Sequence, residues 1–265
     1  MIRVLVNGAD GRMGSQVVKA VVADNELELV GGVSISHIGE DLGEIAGIGT
    51  LGLAVRAGLG TAVDELKPDV VVDFTTPQAV YGNVKTCIAH GVDIVVGTTG
   101  LTEKQREELG EEAKRGDTSL FIAPNFSIGA VLLMKVSADI AAYFPDAEII
   151  ELHHNNKLDA PSGTAVMTAD KIAAARRKAG AVPAPDRTRE SLGGARGASV
   201  QAVPVHSVRL PGYVAHQEVL FGGYGEILTV RHDSLDRKSF MPGVILAVKK
   251  VSSRKGLTFG LENYL

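Results

Sequence analysis

Short apolar runs alternate with segments of helical periodicity through the first half of the chain. The runs predict strands at residues 2–6, 27–33, 70–74, 94–96 and 120–122. Nearly continuous hydrophobic runs of this length are typical of parallel strands that are covered on both faces. Because a turn and a helical segment follow each run, the first half predicts an α/β fold with a Rossmann-type, doubly wound parallel sheet.

The pattern changes after a long apolar helix that is predicted at residues 128–144. A strand is predicted at 147–152 and a helix at 164–176, whereas residues 178–199 are rich in Ala, Gly, Pro and charge and are expected to form an exposed excursion. Three further strand-like runs follow at residues 203–210, 213–221 and 226–231. The Gly- and Pro-containing turns between them favour antiparallel hairpins. We therefore expect a second α+β domain with a mixed or antiparallel sheet.

The turn after the first predicted strand has a glycine spacing that suits a dinucleotide. Gly8, Gly11 and Gly14 form a G-x-x-G-x-x-G pattern between a strand and a helix. The alternative is a simple strand-to-helix turn whose glycines serve geometry alone. The strand–turn–helix context favours a nucleotide site, whose predicted cofactor-binding residues here are Gly8, Ala9, Asp10, Gly11, Arg12 and Met13.

The second predicted strand ends without the acid that NAD-preferring sites place beside the adenosine ribose. Ser34 and Ser36 occupy this region, no acid occurs before Glu40, and Arg12 can reach the same space. Hydroxyl groups beside an arginine favour a 2′-phosphate, and hence NADPH. The alternative, that the serines merely begin a loop, stays open. Residues 38–60 are expected to form a long loop with at most one short strand.

A polar cluster lies between the strand at 147–152 and the helix that follows it. Residues 151–165 have the sequence ELHHNNKLDAPSGTA, which places His153 beside His154 and Lys157 four positions after His153. We expect the backbone N–H groups of Ser162, Gly163 and Thr164 to be unpaired and to point outward at the helix start, ready for a carboxylate. This cluster predicts a reaction site for a small acid.

Three chemistries can be considered for the cluster. A metal site is not expected, because only two histidines are local and adjacent residues of a strand point to opposite faces. Lys157 can act as a nucleophile that forms a Schiff base, or the cluster can support hydride transfer by acid–base chemistry. The alternative to all three is that these residues form a solvent-exposed loop with no catalytic role. Cys87 lies within a predicted helix and is expected to be a core residue, which argues against thiohemiacetal chemistry.

Composition excludes several classes of protein. Charged residues make up 22% of the chain, the net charge is −4, and no Lys- and Arg-rich cluster is interleaved with aromatics, so no nucleic-acid partner is expected. No apolar run approaches the roughly 20 residues that cross a bilayer. The single cysteine excludes an internal disulfide, and the chain starts without a charged leader. We expect a cytoplasmic protein.

The chain resembles the 4-hydroxy-tetrahydrodipicolinate reductases, long called dihydrodipicolinate reductases. Residues 151–165 are similar to the family signature, and residues 8–14, 96–100 and 123–127 resemble its cofactor segments in the same order. The resemblance implies a lysine and diaminopimelate biosynthetic enzyme, usually a homotetramer. It would pass a hydride from NADPH or NADH to a small dianionic substrate, 4-hydroxy-tetrahydrodipicolinate, giving tetrahydrodipicolinate and water. A non-catalytic dinucleotide-sensing regulator is the alternative, but a sensor needs no proton donor.

The resemblance also implies roles for individual residues. His153 would be the acid/base residue and Lys157 the proton donor, while His154, Gly163 and Thr164 would bind substrate carboxylates. Further cofactor contacts, beyond the glycine turn, would come from Gly97, Thr98, Thr99, Ala123, Pro124, Asn125 and Phe126. We add Ser34 to the cofactor site and Ser162 to the substrate site, and we expect NADPH to be modestly preferred over NADH.

The expected domain boundaries follow from these assignments. Residues 1–127 are expected to form the dinucleotide-binding domain, which residues 236–265 complete with a helix at 240–252 and a strand at 257–261. Residues 128–235 are expected to form the substrate-binding and oligomerisation domain.

Overall fold

The structure, a computed structural model, describes residues 1–265 and has two compact units. The first unit comprises Met1–Phe126 and Phe240–Leu265, and the second comprises Ser127–Ser239. The chain passes from the first unit to the second between residues 126 and 127 and returns between residues 239 and 240. None of the helices is both long enough and apolar enough to cross a membrane.

Strands and helices alternate along most of the chain. The first part of unit one, residues 1–126, contains β1 (Ile2–Asn7), α1 (Gly14–Ala23), β2 (Leu27–Val33), α2 (Leu42–Ala46), α3 (Leu59–Leu66), β3 (Val70–Asp73), α4 (Val80–Ala89), β4 (Asp93–Val96), α5 (Glu103–Arg115) and β5 (Ser119–Ile122). The second unit contains α6 (Ile128–Ala141), β6 (Asp146–His153), α7 (Gly163–Ala179), β7 (Ala198–Val200), β8 (Val203–Arg209), β9 (Ala215–Gly223) and β10 (Glu226–Ser234). After the return lie α8 (Met241–Lys250) and β11 (Gly256–Phe259).

The first unit is built on a six-stranded, fully parallel sheet. Its strand order is β11–β5–β4–β3–β1–β2, and every neighbouring pair is parallel. Every residue of β3, β4 and β5 is buried, which explains why these strands have continuous apolar runs. The predicted Rossmann-type sheet is thus confirmed, and the returning chain extends it because β11 pairs with β5.

The loop at 38–60 differs from the prediction of at most one short strand. It contains the short helix α2, whose N-cap residue is Asp41. The Asp41 carboxylate accepts hydrogen bonds from the N–H groups of Gly43 and Glu44 and also from those of residues 51–53, at 2.7–3.2 Å. A five-residue helix is too short to show a helical period in the sequence, so the capping side chain, and not the periodicity, defines it.

The second unit is built on a five-stranded mixed sheet with the order β10–β9–β6–β8–β7. β6 is central, running parallel to β8 and antiparallel to β9. The predicted mixed sheet and the β9–β10 hairpin are confirmed. The predicted hairpin between β8 and β9 is wrong, because β6 lies between these two strands. The expected excursion at 178–199 also contains the start of β7, which pairs with β8.

Helices α6 and α7 cover one face of this mixed sheet. Buried positions alternate along β6, at Ala147, Ile149 and Glu151, and Ile149 is fully buried. It packs in a core shared with Leu133, Ile172, Val205, Val219 and Phe221. The first turn of α7 follows β6 after a loop of nine residues, 154–162, so the polar cluster of the sequence sits between the central strand and a helix that packs on it.

Candidate active site

The predicted cofactor loops follow β1, β4 and β5 of one parallel sheet, so they lie at the same edge of the first unit. Gly8 has a φ of +80°, and a Cβ there would lie 2.4 Å from the carbonyl oxygen of Phe74. A Cβ at Gly14 would lie 2.0 Å from the carbonyl oxygen of Gly8. Chain packing therefore explains both glycines without any ligand.

Gly11 and the start of α1 provide the test of whether a dinucleotide fits. A Cβ at Gly11 would meet the Gly8 carbonyl oxygen at 3.1 Å and little else, so this side of the turn is open. Helix α1 begins without a side-chain cap and without an acid in its first turn. An uncapped helix start behind an open glycine suits a pyrophosphate, because the first N–H groups of a helix attract anions.

The residues predicted to surround the adenosine ribose form a small hydrogen-bonded group. The Ser36 hydroxyl donates to Asp10 Oδ2 at 2.6 Å, and the N–H of Ser36 donates to Ser34 Oγ at 3.1 Å. Ser34 is buried, and its hydroxyl also bonds Asp10. Arg12 is exposed. The region predicted to surround the adenosine ribose therefore contains the exposed guanidinium of Arg12 and the carboxylate of Asp10, which is held by two serines.

Asp73, at the end of β3, is a residue that the sequence prediction missed. It is fully buried, and its carboxylate accepts hydrogen bonds from Asn7 Nδ2 at 2.9 Å, Asn83 Nδ2 at 2.8 Å and Thr98 Oγ1 at 2.6 Å. Thr98, predicted as a cofactor contact, thus uses its hydroxyl to join the β4 loop to β3. The available signal was an acid that ends a run of three valines.

Two of the predicted cofactor loops meet at a small cavity of about 90 Å³. Thr98 and Thr99 line it from the β4 loop, and Ala123 and Pro124 line it from the β5 loop. Phe126 is buried, and its ring lies 5.7 Å from that of Phe74. The structure therefore brings residues 98–99 and 123–124 together, while Phe126 packs its loop against the core.

In the second unit, a buried carboxylate holds His153. β6 ends at His153, and the alternation along the strand places Glu151 on the same face. His153 Nδ1 lies 2.5 Å from Glu151 Oε2, and the side chain of Glu151 is fully buried. Arg209 Nη1 and Nη2 donate to Oε2 and Oε1 of the same carboxylate at 2.9 and 2.7 Å. Glu151, His153 and Arg209 are called the brace below.

The brace fixes both the charge of Glu151 and the tautomer of His153. Burial by itself raises the pKa of Glu151, but the hydrogen bonds from His153 and Arg209 outweigh it and lower the pKa to about 2. Glu151 is therefore an anion at neutral pH and can only accept hydrogen bonds. His153 must then carry a proton on Nδ1, so Nε2 is the ring atom that can exchange a proton with a ligand.

His154 and Lys157 belong to a tight turn directly after β6. The backbone N–H of Lys157 donates to the carbonyl oxygen of His154 at 3.2 Å. The Nδ1 atom of His154 is buried and has no hydrogen-bond partner in the protein. Lys157 Nζ donates to Asp159 Oδ1 at 2.7 Å.

The helix start of α7 differs from the predicted anion cradle. The expectation that the Ser162 N–H is unpaired and points outward is wrong, since Ser162 is buried and its N–H donates to Glu151 Oε1 at 3.1 Å. The Ser162 hydroxyl caps α7 by accepting from the N–H of Ala165 at 3.2 Å. Gly163 is exposed, with open space where a Cβ would lie. Thr164 is half-buried beside it.

The remaining histidines and the cysteine lie outside this cluster. His216 pairs with Asp233 at 2.7 Å, and His206 pairs with Glu148 at 2.8 Å. The structure contains no group of three or more His, Cys, Asp or Glu side chains arranged to hold a metal ion. Cys87 is fully buried in α4, and burial raises the pKa of its thiol well above the usual range, so its predicted core position is confirmed.

Two family models together match nearly the whole chain. The one described as dihydrodipicolinate reductase, N-terminus, matches residues 2–126. The one described as dihydrodipicolinate reductase, C-terminus, matches residues 129–265. The boundary between the two matches, at residues 126–129, coincides with the point at which the chain passes from the first structural unit to the second.

Relatives and solved structures agree with these matches. The chain is 50% identical to a 4-hydroxy-tetrahydrodipicolinate reductase of Listeria welshimeri serovar 6b, over 100% of both chains, and 48% identical to one of Syntrophomonas wolfei subsp. wolfei, over 99% of this chain and 98% of that relative. The dipicolinate-bound dihydrodipicolinate reductase of Paenisporosarcina sp. TG-14 matches with a TM-score of 0.88 and 44% identity over 100% of both chains. An amine dehydrogenase of Mycobacterium smegmatis, at 14% identity and a TM-score of 0.64 over 97% of this chain and 94% of its own, shares the fold alone. The chain belongs to the dihydrodipicolinate reductase family.

Proposed function

We propose that the protein reduces 4-hydroxy-tetrahydrodipicolinate to tetrahydrodipicolinate and water in lysine and diaminopimelate biosynthesis. The observation that carries the proposal is His153, held by the buried Glu151 so that Nε2 is free, with Lys157 in the turn that follows. The names of the relatives at about half identity support the same reaction. The Paenisporosarcina relative binds dipicolinate, a six-membered ring that carries two carboxylates, as the proposed substrate does.

The residues of the second unit supply the groups that this reaction needs besides a hydride. The overall change consumes one hydride and one proton, and the substrate's hydroxyl group leaves as water. We assign proton delivery to Lys157 and acid–base exchange to Nε2 of His153. His154 Nδ1, Gly163 and Thr164 bind the two carboxylates, and Ser162 supports them by capping α7 and binding Glu151.

The residues of the first unit fit a nicotinamide dinucleotide, which supplies the hydride when bound. We assign the pyrophosphate to Gly11 and the start of α1, and the nicotinamide end to the loops at 97–99 and 123–126. NADPH is proposed to be modestly preferred, because Arg12 offers an exposed cation to a 2′-phosphate. Asp10, held by Ser34 and Ser36, opposes that preference and keeps NADH usable.

The finer assignments rest on the family resemblance. The first unit is proposed to be the dinucleotide-binding domain, and the second unit the substrate-binding and oligomerisation domain. We propose a homotetramer in the cytoplasm, with no nucleic-acid or membrane partner. The alternative of a non-catalytic dinucleotide sensor is not favoured, since a sensor has no use for a braced histidine beside a lysine.

A spectrophotometric assay of reduced-nicotinamide oxidation, run with 4-hydroxy-tetrahydrodipicolinate and each cofactor, tests the proposal. Turnover that depends on the substrate supports a reductase. Saturation-transfer NMR with pyridine-2,6-dicarboxylate supplies a second test that needs no turnover, because a sensor has no reason to bind that ring. Absence of both turnover and binding would remove the proposed function.

A further inference from the structure

The Asp159 carboxylate pairs with the amine that is proposed to act on the anionic substrate. Its Oδ1 atom accepts a hydrogen bond from Lys157 Nζ at 2.7 Å. Lys157 is the proposed proton donor, so its amine lies close to the anionic substrate in the proposed complex. This amine is already paired with a carboxylate of the chain itself.

The backbone at Asp159 is held by a hydrogen bond, whereas its side chain is mostly exposed. Arg209 Nη2 donates to the carbonyl oxygen of Asp159 at 2.8 Å, so the brace ties down the main chain at this point. The Asp159 side chain is 58% exposed, while that of Lys157 is only 22% exposed. Rotation of the carboxylate into water therefore needs no loop rearrangement and uncovers the less exposed amine.

A ligand carboxylate that approaches Lys157 meets the Asp159 carboxylate, and the two anions repel each other. The ligand is therefore held more tightly once the Asp159 side chain has turned away from the amine. The apparent affinity is then reduced by the fraction of molecules in which the amine is already open.

We propose that Asp159 is an internal competitor of the substrate, which holds Lys157 until a ligand carboxylate displaces it. This inference rests on the proposed function, since it concerns the same substrate site. A ligand must bind strongly enough to displace Asp159. A ligand with a single weakly held carboxylate fails to do so, whereas a dianion with further contacts succeeds. Asp159 is accordingly a specificity-determining residue that makes no bond to the bound substrate.

Calorimetric titration of the full-length protein with pyridine-2,6-dicarboxylate tests this role. Asp159→Asn and Asp159→Ala should bind the probe about two- to fivefold more tightly than wild type, a range set by the modest strength of an exposed ion pair. The substrate KM should fall in the same proportion. Asp170→Asn is the matched control, because it removes one negative charge from an exposed position on α7 and should leave binding unchanged.

The direction of the effect decides the outcome. A purely structural role for Asp159 in shaping the loop predicts weaker binding by both variants, so unchanged or weaker binding overturns the competitor role. If wild type and both variants all fail to bind pyridine-2,6-dicarboxylate, the proposed function falls, and this inference falls with it. If wild type binds but the Asp159 variants bind no better, only the competitor role is removed.

Discussion

His153 Nδ1 lies 2.5 Å from Glu151 Oε2, and the carboxylate of Glu151 is in turn held by both terminal nitrogens of Arg209. Glu151→Gln should lower kcat by about 10- to 100-fold, because a small misplacement of a catalytic group is enough for such a loss. The glutamine amide cannot present two anionic acceptors, so His153 loses its fixed tautomer. Steady-state kinetics with saturating cofactor measures the effect.

Glu148→Gln is the matched control for this substitution. Glu148 lies on the same strand and also pairs with a histidine and an arginine, His206 and Arg196, but outside the candidate site. Its kcat should stay within a factor of about two of wild type, since a surface-facing ion pair contributes little. Equal losses in the two variants would show that the brace serves folding and not catalysis.

The depressed pKa of Glu151 predicts a pH dependence of stability. The folded pKa of about 2 lies below the ordinary value of 4.5, so the unfolded state binds more protons between these two values. The stabilising contribution is complete above about pH 4.5 and is lost as the pH falls towards about 2. It amounts to about 3 kcal/mol when complete, because one pKa unit corresponds to roughly 1.4 kcal/mol.

Urea unfolding at a series of pH values from about 6 to about 3 measures this contribution. The wild-type free energy of unfolding should fall with pH across the lower part of this range. Glu151→Gln should be less stable at neutral pH and should show a shallower fall. Parallel curves for the two proteins would mean that other carboxylates account for the acid sensitivity.

His153 and His154 should give different kinetic profiles, because only His153 is held by the brace. His153→Ala should reduce kcat and kcat/KM together, as expected when an interaction made in the transition state is lost. His154→Ala should chiefly raise KM, since the unpartnered Nδ1 atom of His154 is proposed to bind a substrate carboxylate. Matching profiles for the two variants would contradict this division of roles.

Cofactor preference should shift in opposite directions when the two charges near the predicted ribose site are removed. Arg12→Ala should lower kcat/KM for NADPH by about 3- to 10-fold and leave NADH nearly unchanged, because a screened, exposed arginine gives less than a full charge-assisted hydrogen bond. Asp10→Asn should raise the NADPH to NADH ratio, since it removes an anion near the 2′-phosphate. A wild-type enzyme that favours NADH tenfold or more would refute the assignment.

The sequence predicted the elements whose structure follows from local pattern. The valine run that forms β3 and the glycine turn after β1 have the burial and the backbone angles that their residues require. Helix α2 was missed, since Asp41 stabilises it through N–H groups that lie up to twelve residues away. The order of β8 and β9 was also missed, because the insertion of β6 between them is a pairing over more than fifty residues.

In the candidate site, too, the features set by local sequence were predicted and those set by long-range contacts were missed. His153, His154 and Lys157 stand out in the sequence because they are chemically unusual neighbours on a short stretch. Glu151 was visible only as an acid in an apolar strand, and its partner Arg209 lies 58 positions away, so no spacing rule connects them. The buried Glu151 also explains the error at Ser162, whose N–H turns inward to this carboxylate instead of outward to solvent.

The kcat of Lys157→Ala, measured by oxidation of the reduced nicotinamide with saturating 4-hydroxy-tetrahydrodipicolinate, tests the proposed chemistry most directly. If Lys157 delivers the proton, kcat should fall by about 10²- to 10⁴-fold, the usual contribution of a positioned general acid. Cofactor affinity should be little changed, because Lys157 belongs to the second unit and the cofactor residues to the first. A kcat that stays within a factor of about three of wild type would contradict the assignment of Lys157 as the proton donor.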